Sequence, residues 1–147
     1  MKQQISTIDL EHLMPHRSKM IWVDYVESVS DLQGEVSVTL QKDYPYFFED
    51  DHLMNSFFLE FMAQGYGYFR AAQVLNKNLD GLNQAMIPMI SHYEFEENNY
   101  KAGTKFTAKL TTLKELGDLF FVKGECFNDE GRVIASAEFK VYAKVDL

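Results

Sequence analysis

The stretch FFLEFMAQGYGYF, Phe57–Phe69, combines aromatic, aliphatic and small residues with a single carboxylate, Glu60. A helix over this stretch is apolar nearly all round, which predicts that it is buried on most of its sides. A buried carboxylate is costly unless it is paired, neutralised or used in chemistry. The sequence therefore predicts a central buried helix and marks Glu60 as its unusual residue.

The ends of this helix carry recognisable signals. Ser56 or the residue before it provides an N-cap, and the segment NKNLDG ends the helix after about Leu75. Gly65 and Gly67 each cost the helix about 1 kcal/mol relative to alanine. Such glycines are tolerable where another element approaches the helix closely.

Strand patterns occupy most of the remaining chain. Residues 20–29 are β-branched and aromatic, and the alternating segment EVSVTL makes a hairpin with them. Residues 41–55 are irregular. The later strands are predicted at 86–96 with Pro88 at its start, 104–115, 119–127 and 132–145. The predicted order is β-β-α-β-β-β-β.

One buried helix and five or six long strands leave few architectures. Long antiparallel strands curl, and a helix that is apolar on every side must be wrapped by the sheet. This predicts an α+β hotdog fold, a curved antiparallel sheet around one long central helix, in a single domain over 1–147. We expect dimers, because the open sheet edge needs covering. The alternative, a helix on one flat sheet face, would show a polar stripe on the helix.

Composition narrows the function. The formal net charge of −8 argues against nucleic acid or an anionic membrane surface as the main partner. Cys126 is the single cysteine, and its place in an alternating strand predicts a core thiol. Residues 1–14 have no apolar core of signal-peptide length, and polar residues interrupt the central helix. We therefore expect no membrane span and a location in the cytoplasm.

Several segments resemble one enzyme family. LMPHRSKMIWVDYV, Leu13–Val26, resembles the opening of FabZ-type 3-hydroxyacyl-ACP dehydratases, an LPHR element before an apolar strand that ends in Val-Asp. LEFMAQ, Leu59–Gln64, resembles the family's central-helix motif, an acidic residue followed four positions later by Gln. YEFEENNYKAGTKF and GECFNDEGRVIASAEFKVY resemble the later strands, so the resemblance covers most of the chain in the correct order.

The sequence also departs from this family. FabZ-like enzymes carry a catalytic histidine in an HFPGxPxxPG element fourteen residues before the helix acid, whereas Tyr46 stands there in this chain. The shortened acidic loop FFEDDH and the motif LEFMAQ resemble a divergent branch, the ApeP-like dehydratases of aryl polyene pathways.

The resemblance implies dehydration of 3-hydroxyacyl thioesters carried on acyl carrier protein, in a fatty-acid-like or polyene biosynthetic pathway. The phosphopantetheine belongs to the carrier, and we expect no cofactor or metal of the protein's own. The expected partners are acyl carrier protein and a second hotdog subunit, as homodimer or heterodimer, with no nucleic acid and no membrane. Two alternatives stay open: a hotdog acyl-thioesterase, and a non-catalytic partner subunit, which the missing HFPG element favours.

Dehydration requires a base for the α-proton, an acid for the departing hydroxyl and donors for the enolate-like oxygen. The helix N-terminus, with the amides from Ser56 and Phe57 to Leu59, supplies such donors. Glu60 is the candidate acid, and Gln64, one turn later, orients Glu60 or a bound water. The alternative is that Glu60 pairs with an arginine or with Gln64 and performs no chemistry.

Three histidines are considered for the site. His16 is the candidate base, because the preceding proline keeps the chain non-helical there; the alternative is a loop histidine bonded to backbone. His52 is closer to the helix but lies in an acidic loop, and is a candidate for substrate binding. His92, in the strand SHYEF, is expected to be a residue of the sheet.

Overall fold

A computed structural model of the chain describes residues 4–10, 18–48, 50–76 and 82–145. The elements are β1 Ile5–Ser6, α1 Thr7–Leu10, a 3-10 helix Ser18–Met20, β2 Tyr25–Val29, β3 Gln33–Thr39, α2 Phe57–Asn76, β4 Leu82–Phe95, β5 Lys105–Leu116, β6 Leu119–Phe127 and β7 Val133–Val145. The strands in these ranges form one sheet in the order β1-β2-β3-β5-β6-β7-β4, with every neighbouring pair antiparallel.

The sheet wraps around α2, which contacts each strand from β2 to β7. No side chain between Phe57 and Gln73 is exposed, so the helix is covered on all its faces. This is the hotdog fold, and the predicted curved antiparallel sheet around one central helix is confirmed. Cys126 is fully buried in β6, as its alternation pattern predicts. Within the described ranges, no helix has the length and apolar character needed to cross a membrane.

Gly65 lies where the helix approaches the sheet closely. A Cβ added there would lie 2.6 Å from Cγ2 of Val36 and 3.0 Å from Cδ1 of Leu110. A methyl group at this position would therefore push on β3 and β5 together. The glycine that weakens the helix is required by packing.

The predicted start of β4 is wrong. The strand begins at Leu82 and not at residue 86, so Pro88 lies inside it. The pairing of β4 with β7 shifts register between Met86 and Met89, on either side of the proline. Proline has no N–H for the ladder and is tolerated on an edge strand, which β4 is.

The N-terminal strand prediction also needs correction. Only Tyr25–Val29 of the expected strand 20–29 is regular. Just before this strand, Asp24 N–H donates to the carbonyl oxygen of Ser37 at 2.8 Å. A short element that the sequence pattern did not predict, β1 with α1, packs here: the hydroxyl of Thr7 donates to the carbonyl oxygen of Val23 at 2.7 Å.

Candidate active site

Glu60 lies in the first turn of α2, and its side chain is half-buried. The helix begins at Phe57, and Glu60 N–H donates to the carbonyl oxygen of Ser56 at 3.0 Å. Nε2 of Gln64 donates to Oε1 of Glu60 at 3.2 Å, so the structure brings together the two residues that the helix motif pairs.

Gln64 is locked in place by the segment that precedes β2. Its Oε1 accepts the backbone N–H of Trp22 at 2.8 Å, and its Nε2 also donates to the carbonyl oxygen of Met20 at 2.8 Å. The side chain is only 2% exposed. These bonds use both protons of the amide and fix which end faces Glu60. Gln64 is therefore placed to orient Glu60, and it holds the chain at 20–22 against the helix.

The N-terminus of α2 offers two backbone donors. Phe57 N–H donates to the carbonyl oxygen of Met54 at 3.1 Å, whereas the N–H groups of Phe58 and Leu59 have no backbone acceptor among the described residues. The predicted side-chain cap is not made by Ser56, whose exposed hydroxyl contacts Sδ of Met54 at 3.6 Å. A side-chain oxygen from β4, the phenolic oxygen of Tyr93, accepts from both of these amides instead.

A tyrosine from β4 reaches this helix end. The hydroxyl of Tyr93 donates to the carbonyl oxygen of Asn55 at 2.6 Å. Burial raises the pKa of Tyr93 to about 12, and the nearby backbone N–H groups of Leu59 and Phe58 lower that pKa only in part. The phenol therefore stays protonated at neutral pH. The sequence did not identify Tyr93. The alternation pattern of a strand indicates on which face of the sheet a side chain lies, but not that this side chain reaches the N-terminus of the helix.

Two aromatic residues near the predicted site belong to the core. Phe57 has no exposed surface, and its ring packs against Trp22 at 5.8 Å and Tyr46 at 4.9 Å. Such a ring touches no substrate unless the core rearranges. Tyr46, at the position of the FabZ-like catalytic histidine, is also buried, and its hydroxyl accepts the N–H of Gln41 at 2.7 Å. The tyrosine there has a packing role.

The histidines differ in where the structure places them. His52 is exposed in the loop before α2, stacks on Phe48 with ring centroids 6.3 Å apart, and helps to line a cavity of about 20 Å³. His92 is an exposed sheet residue whose Nε2 lies 3.4 Å from Oε1 of Glu94. His16 lies outside the described residues, so its role as base stays a prediction. In the described part of the chain, no cluster of three or more potential metal-ligating acids, histidines or cysteines occurs.

Comparison with known structures supports the fold. The dehydratase heterocomplex ApeI:P from Xenorhabdus doucetiae contains a chain that superposes with a TM-score of 0.83 at 20% identity, covering 92% of this chain and 90% of that one. A Streptococcus mutans UA159 protein bound to acetyl CoA superposes with a TM-score of 0.65 at 13% sequence identity, covering 92% of this chain and 98% of that one. A hypothetical thioesterase with coenzyme A from Streptococcus pneumoniae TIGR4 superposes with a TM-score of 0.60 at 14% sequence identity, covering 82% of this chain and 85% of that one.

Sequence comparison gives the family. No curated protein sequence matches the chain. The family model for ApeP-like proteins, described as ApeP dehydratase, matches residues 8–147, which is nearly the whole chain. The match includes both the helix with Glu60 and Gln64 and the strand with Tyr93. The chain therefore belongs to the ApeP-like dehydratase family.

Proposed function

We propose that this protein dehydrates 3-hydroxyacyl thioesters carried on acyl carrier protein. The observation that carries the proposal is the half-buried side chain of Glu60 in the first turn of α2, held there by the buried amide of Gln64. Membership of a dehydratase family agrees with this chemistry. β-Elimination from a thioester requires an acid for the departing hydroxyl and a positive potential for the enolate-like oxygen, and the N-terminus of α2 beside Glu60 carries the positive end of the helix dipole.

The reaction follows from these positions. A base removes the α-proton, and the electrons of the C–H bond move into an enolate whose oxygen is stabilised at the positive N-terminal end of α2. Those electrons then form the α–β double bond as the β-carbon–oxygen bond breaks. Glu60 protonates the departing hydroxyl, which leaves as water. The proton on the base returns to Glu60 through solvent, so the enzyme ends in its starting state.

The base is the part of the site that we assign by prediction. His16 is the candidate within this chain, and a histidine from a second hotdog subunit is the alternative. Among the described strands β4 lies at the edge of the sheet, and we propose that its outer edge pairs with such a subunit. The similarity to a chain of a dehydratase heterocomplex supports a heterodimer as well as a homodimer. We propose a polyene or fatty-acid-like pathway because the chain belongs to the ApeP-like dehydratase family.

A thioesterase is the second function to test, because similar solved structures include a hypothetical thioesterase with coenzyme A. In that reaction Glu60 would activate water for attack on the thioester carbonyl, and the acyl chain would leave the carrier. The two reactions differ in their products: dehydration keeps the acyl chain on the carrier and removes one water.

The test is incubation of the purified protein with 3-hydroxyacyl carrier protein, followed by mass spectrometry of the carrier. Glu60→Gln is compared with Glu97→Gln, which alters an exposed glutamate after β4. Loss of water with the wild type and Glu97→Gln, but not with Glu60→Gln, supports the proposal. Release of free acid indicates a thioesterase. Binding of the acyl carrier without turnover indicates a non-catalytic subunit.

A further inference from the structure

One face of α2 is covered less completely than the others. Among residues 57–73, the half-buried side chains are those of Leu59, Glu60, Ala63 and Arg70, and the rest are buried. With roughly 3.6 residues per turn, these positions fall within about 100° of the helix circumference. A substrate that meets the carboxylate of Glu60 therefore approaches α2 on this face, and Arg70 lies on the same face.

Arg70 lies well beyond the reacting end of such a substrate. It follows Glu60 by ten residues, which corresponds to about 15 Å along the helix axis. The helix extends for three residues before Glu60 (57–59) and for sixteen after it (61–76). An acyl chain whose hydroxyl is bound at Glu60 therefore finds most of this face on the Arg70 side, past the small side chain of Ala63. An extended chain advances about 3.5 Å for every three bonds, so about a dozen carbons and the arginine side chain together cover the distance.

The guanidinium of Arg70 is held in a fixed position. Its central carbon lies 4.5 Å from the ring centroid of Phe120, and Nη1 donates to Oε1 of Gln73 at 2.6 Å. Gln73 is itself buried, and its Nε2 donates to the carbonyl oxygens of Ser30 and Asp31. These contacts fix the direction of the guanidinium before a ligand binds, which reduces the entropy that is lost on binding.

The positive charge of Arg70 has no counter-charge in the described part of the chain. No described acid forms an ion pair with it, and its buried Nε has no hydrogen-bond partner. Packing on Phe120 does not require a charge, since a methionine or leucine would also cover this ring. A half-buried cation is costly to desolvate without an anion. A carboxylate matches a guanidinium because its two oxygens accept two parallel N–H groups.

We propose that Arg70 determines substrate specificity by binding a carboxylate at the far end of the acyl chain. The inference deepens the proposed dehydration and rests on it, because the reaction at Glu60 places the other end of the chain. The contact is noncovalent: Arg70 keeps its protons, and no bond of the substrate breaks there. The phosphate of the carrier's phosphopantetheine is a second source of anionic oxygen, so the test uses probes without that phosphate.

Binding of two probes measures the contact directly. They are pantetheine amides of 3-hydroxydodecanoic acid, one ending in a methyl group and the other in an ω-carboxylate, and both lack phosphate. We expect the wild type to bind the carboxylate probe about tenfold more tightly, the effect of one hydrogen bond to a charged group. The same pair built on 3-hydroxyhexanoic acid is too short to reach Arg70 and should show no preference. Equal binding of the two long probes by the wild type would overturn the inference.

Two arginine variants assign the preference to its residue. Arg70→Met removes the charge and keeps an unbranched side chain over Phe120, and it should abolish the preference between the long probes. Arg132→Met is the matched control, because it removes the same charge from an exposed arginine paired with Glu96, and it should keep the preference. Arg70→Lys keeps the charge without the fork and should retain a smaller preference. A preference that survives Arg70→Met, or an equal loss of affinity for both long probes, would contradict the role of Arg70.

Turnover separates this inference from the reaction itself. If the wild type shows the Arg70-dependent preference but releases no water from 3-hydroxyacyl carrier protein, the proposed dehydration fails and the Arg70 contact stands. If water is lost from methyl-ended and carboxylate-ended long chains with equal kcat/KM, in the wild type and in Arg70→Met alike, the Arg70 contact fails alone.

Discussion

The side-chain amide of Gln64 joins Glu60 to a separate segment of the chain: Nε2 donates to Oε1 of Glu60 at 3.2 Å and to the carbonyl oxygen of Met20 at 2.8 Å. The orientation of the acid is thereby tied to the position of the strand that leads into β2. A change at Gln64 therefore affects both the geometry of Glu60 and the stability of the fold.

Replacement of Gln64 by leucine tests this double role. Gln64→Leu leaves the N–H of Trp22 and the carbonyl oxygen of Met20 without their partner, which costs about 2–4 kcal/mol of unfolding free energy. Loss of the Gln64 hydrogen bond should misorient the Glu60 side chain and lower kcat by about ten- to a hundredfold. Denaturant unfolding and steady-state kinetics measure the two effects.

Gln73 is the matched control on the same helix. It is also buried, and its Nε2 donates to the carbonyl oxygens of Ser30 and Asp31 at 2.7 and 3.0 Å, far from Glu60 along the helix. Gln73→Leu should cost about 1–2 kcal/mol, since those carbonyls lie in an exposed turn. Its kcat should equal that of the wild type. A kcat loss of the same size in both variants would show that Gln64 acts through stability alone.

Gly65→Ala should destabilise the protein although alanine favours helix. The gain in helix propensity is about 1 kcal/mol, whereas the new methyl group would lie 2.6 Å from Cγ2 of Val36, and overpacking costs about 1–3 kcal/mol. We expect a net loss of about 0.5–2 kcal/mol in urea unfolding. Val36→Ala removes the clashing methyl group, so the double variant should be about 1 kcal/mol more stable than the sum of the single effects. Additive losses would contradict this packing.

Asp24→Asn should stabilise the protein at neutral pH. Burial raises the pKa of Asp24, and the backbone N–H of Thr39, 2.8 Å from Oδ2, lowers it only in part. An acid with a raised folded-state pKa binds protons more tightly in the native state, so its ionisation opposes folding as the pH rises from 3.8 through the folded pKa. The advantage of Asp24→Asn should be complete above that window and vanish below pH 3.8.

Thermal unfolding at pH 7 and near pH 3.5 measures this difference. Asp118→Asn removes the same charge from an exposed turn and corrects for the net charge of −8. If both asparagine variants gain equally at pH 7, the effect belongs to overall charge repulsion and not to the burial of Asp24.

Cys126 should report global unfolding. Its thiol is fully buried, and burial raises its pKa, so the reactive thiolate is scarce in the folded chain. We expect a disulfide reagent to label the native protein only at the rate of unfolding, and the labelling rate to rise with denaturant in step with loss of the fold. Rapid stoichiometric labelling in buffer would contradict the buried position.

The large elements of this fold are predictable because local pattern and tertiary position agree in them. The helix is apolar on every face and is wrapped by the sheet, and β5 and β6 alternate because only one face of each strand meets the core. The start of β4 is not predictable from the sequence, because a proline such as Pro88 usually marks the end of a strand. An edge strand tolerates a proline in its interior, and β4 is an edge strand. The two-residue β1 is too short to carry a pattern.

The candidate site was predictable in part. The i, i+4 spacing of Glu60 and Gln64 places them on one helix face, and their hydrogen bond follows from it. The bonds of Gln64 to residues 20–22 and the approach of Tyr93 to Asn55 join segments far apart in sequence. No local pattern encodes which side chain of β4 reaches the helix end, so that contact required the structure.

The single-turnover rate of water loss from 3-hydroxyacyl carrier protein, compared between wild type and Glu60→Gln, tests the central claim most directly. Glutamine keeps the shape of Glu60 but has no proton of the right acidity for the departing hydroxyl. We expect the rate to fall by about 10²–10⁴-fold, while Glu97→Gln matches the wild type and all three proteins unfold at the same temperature. A Glu60→Gln variant that releases water at the wild-type rate would contradict the assignment of Glu60 as the acid.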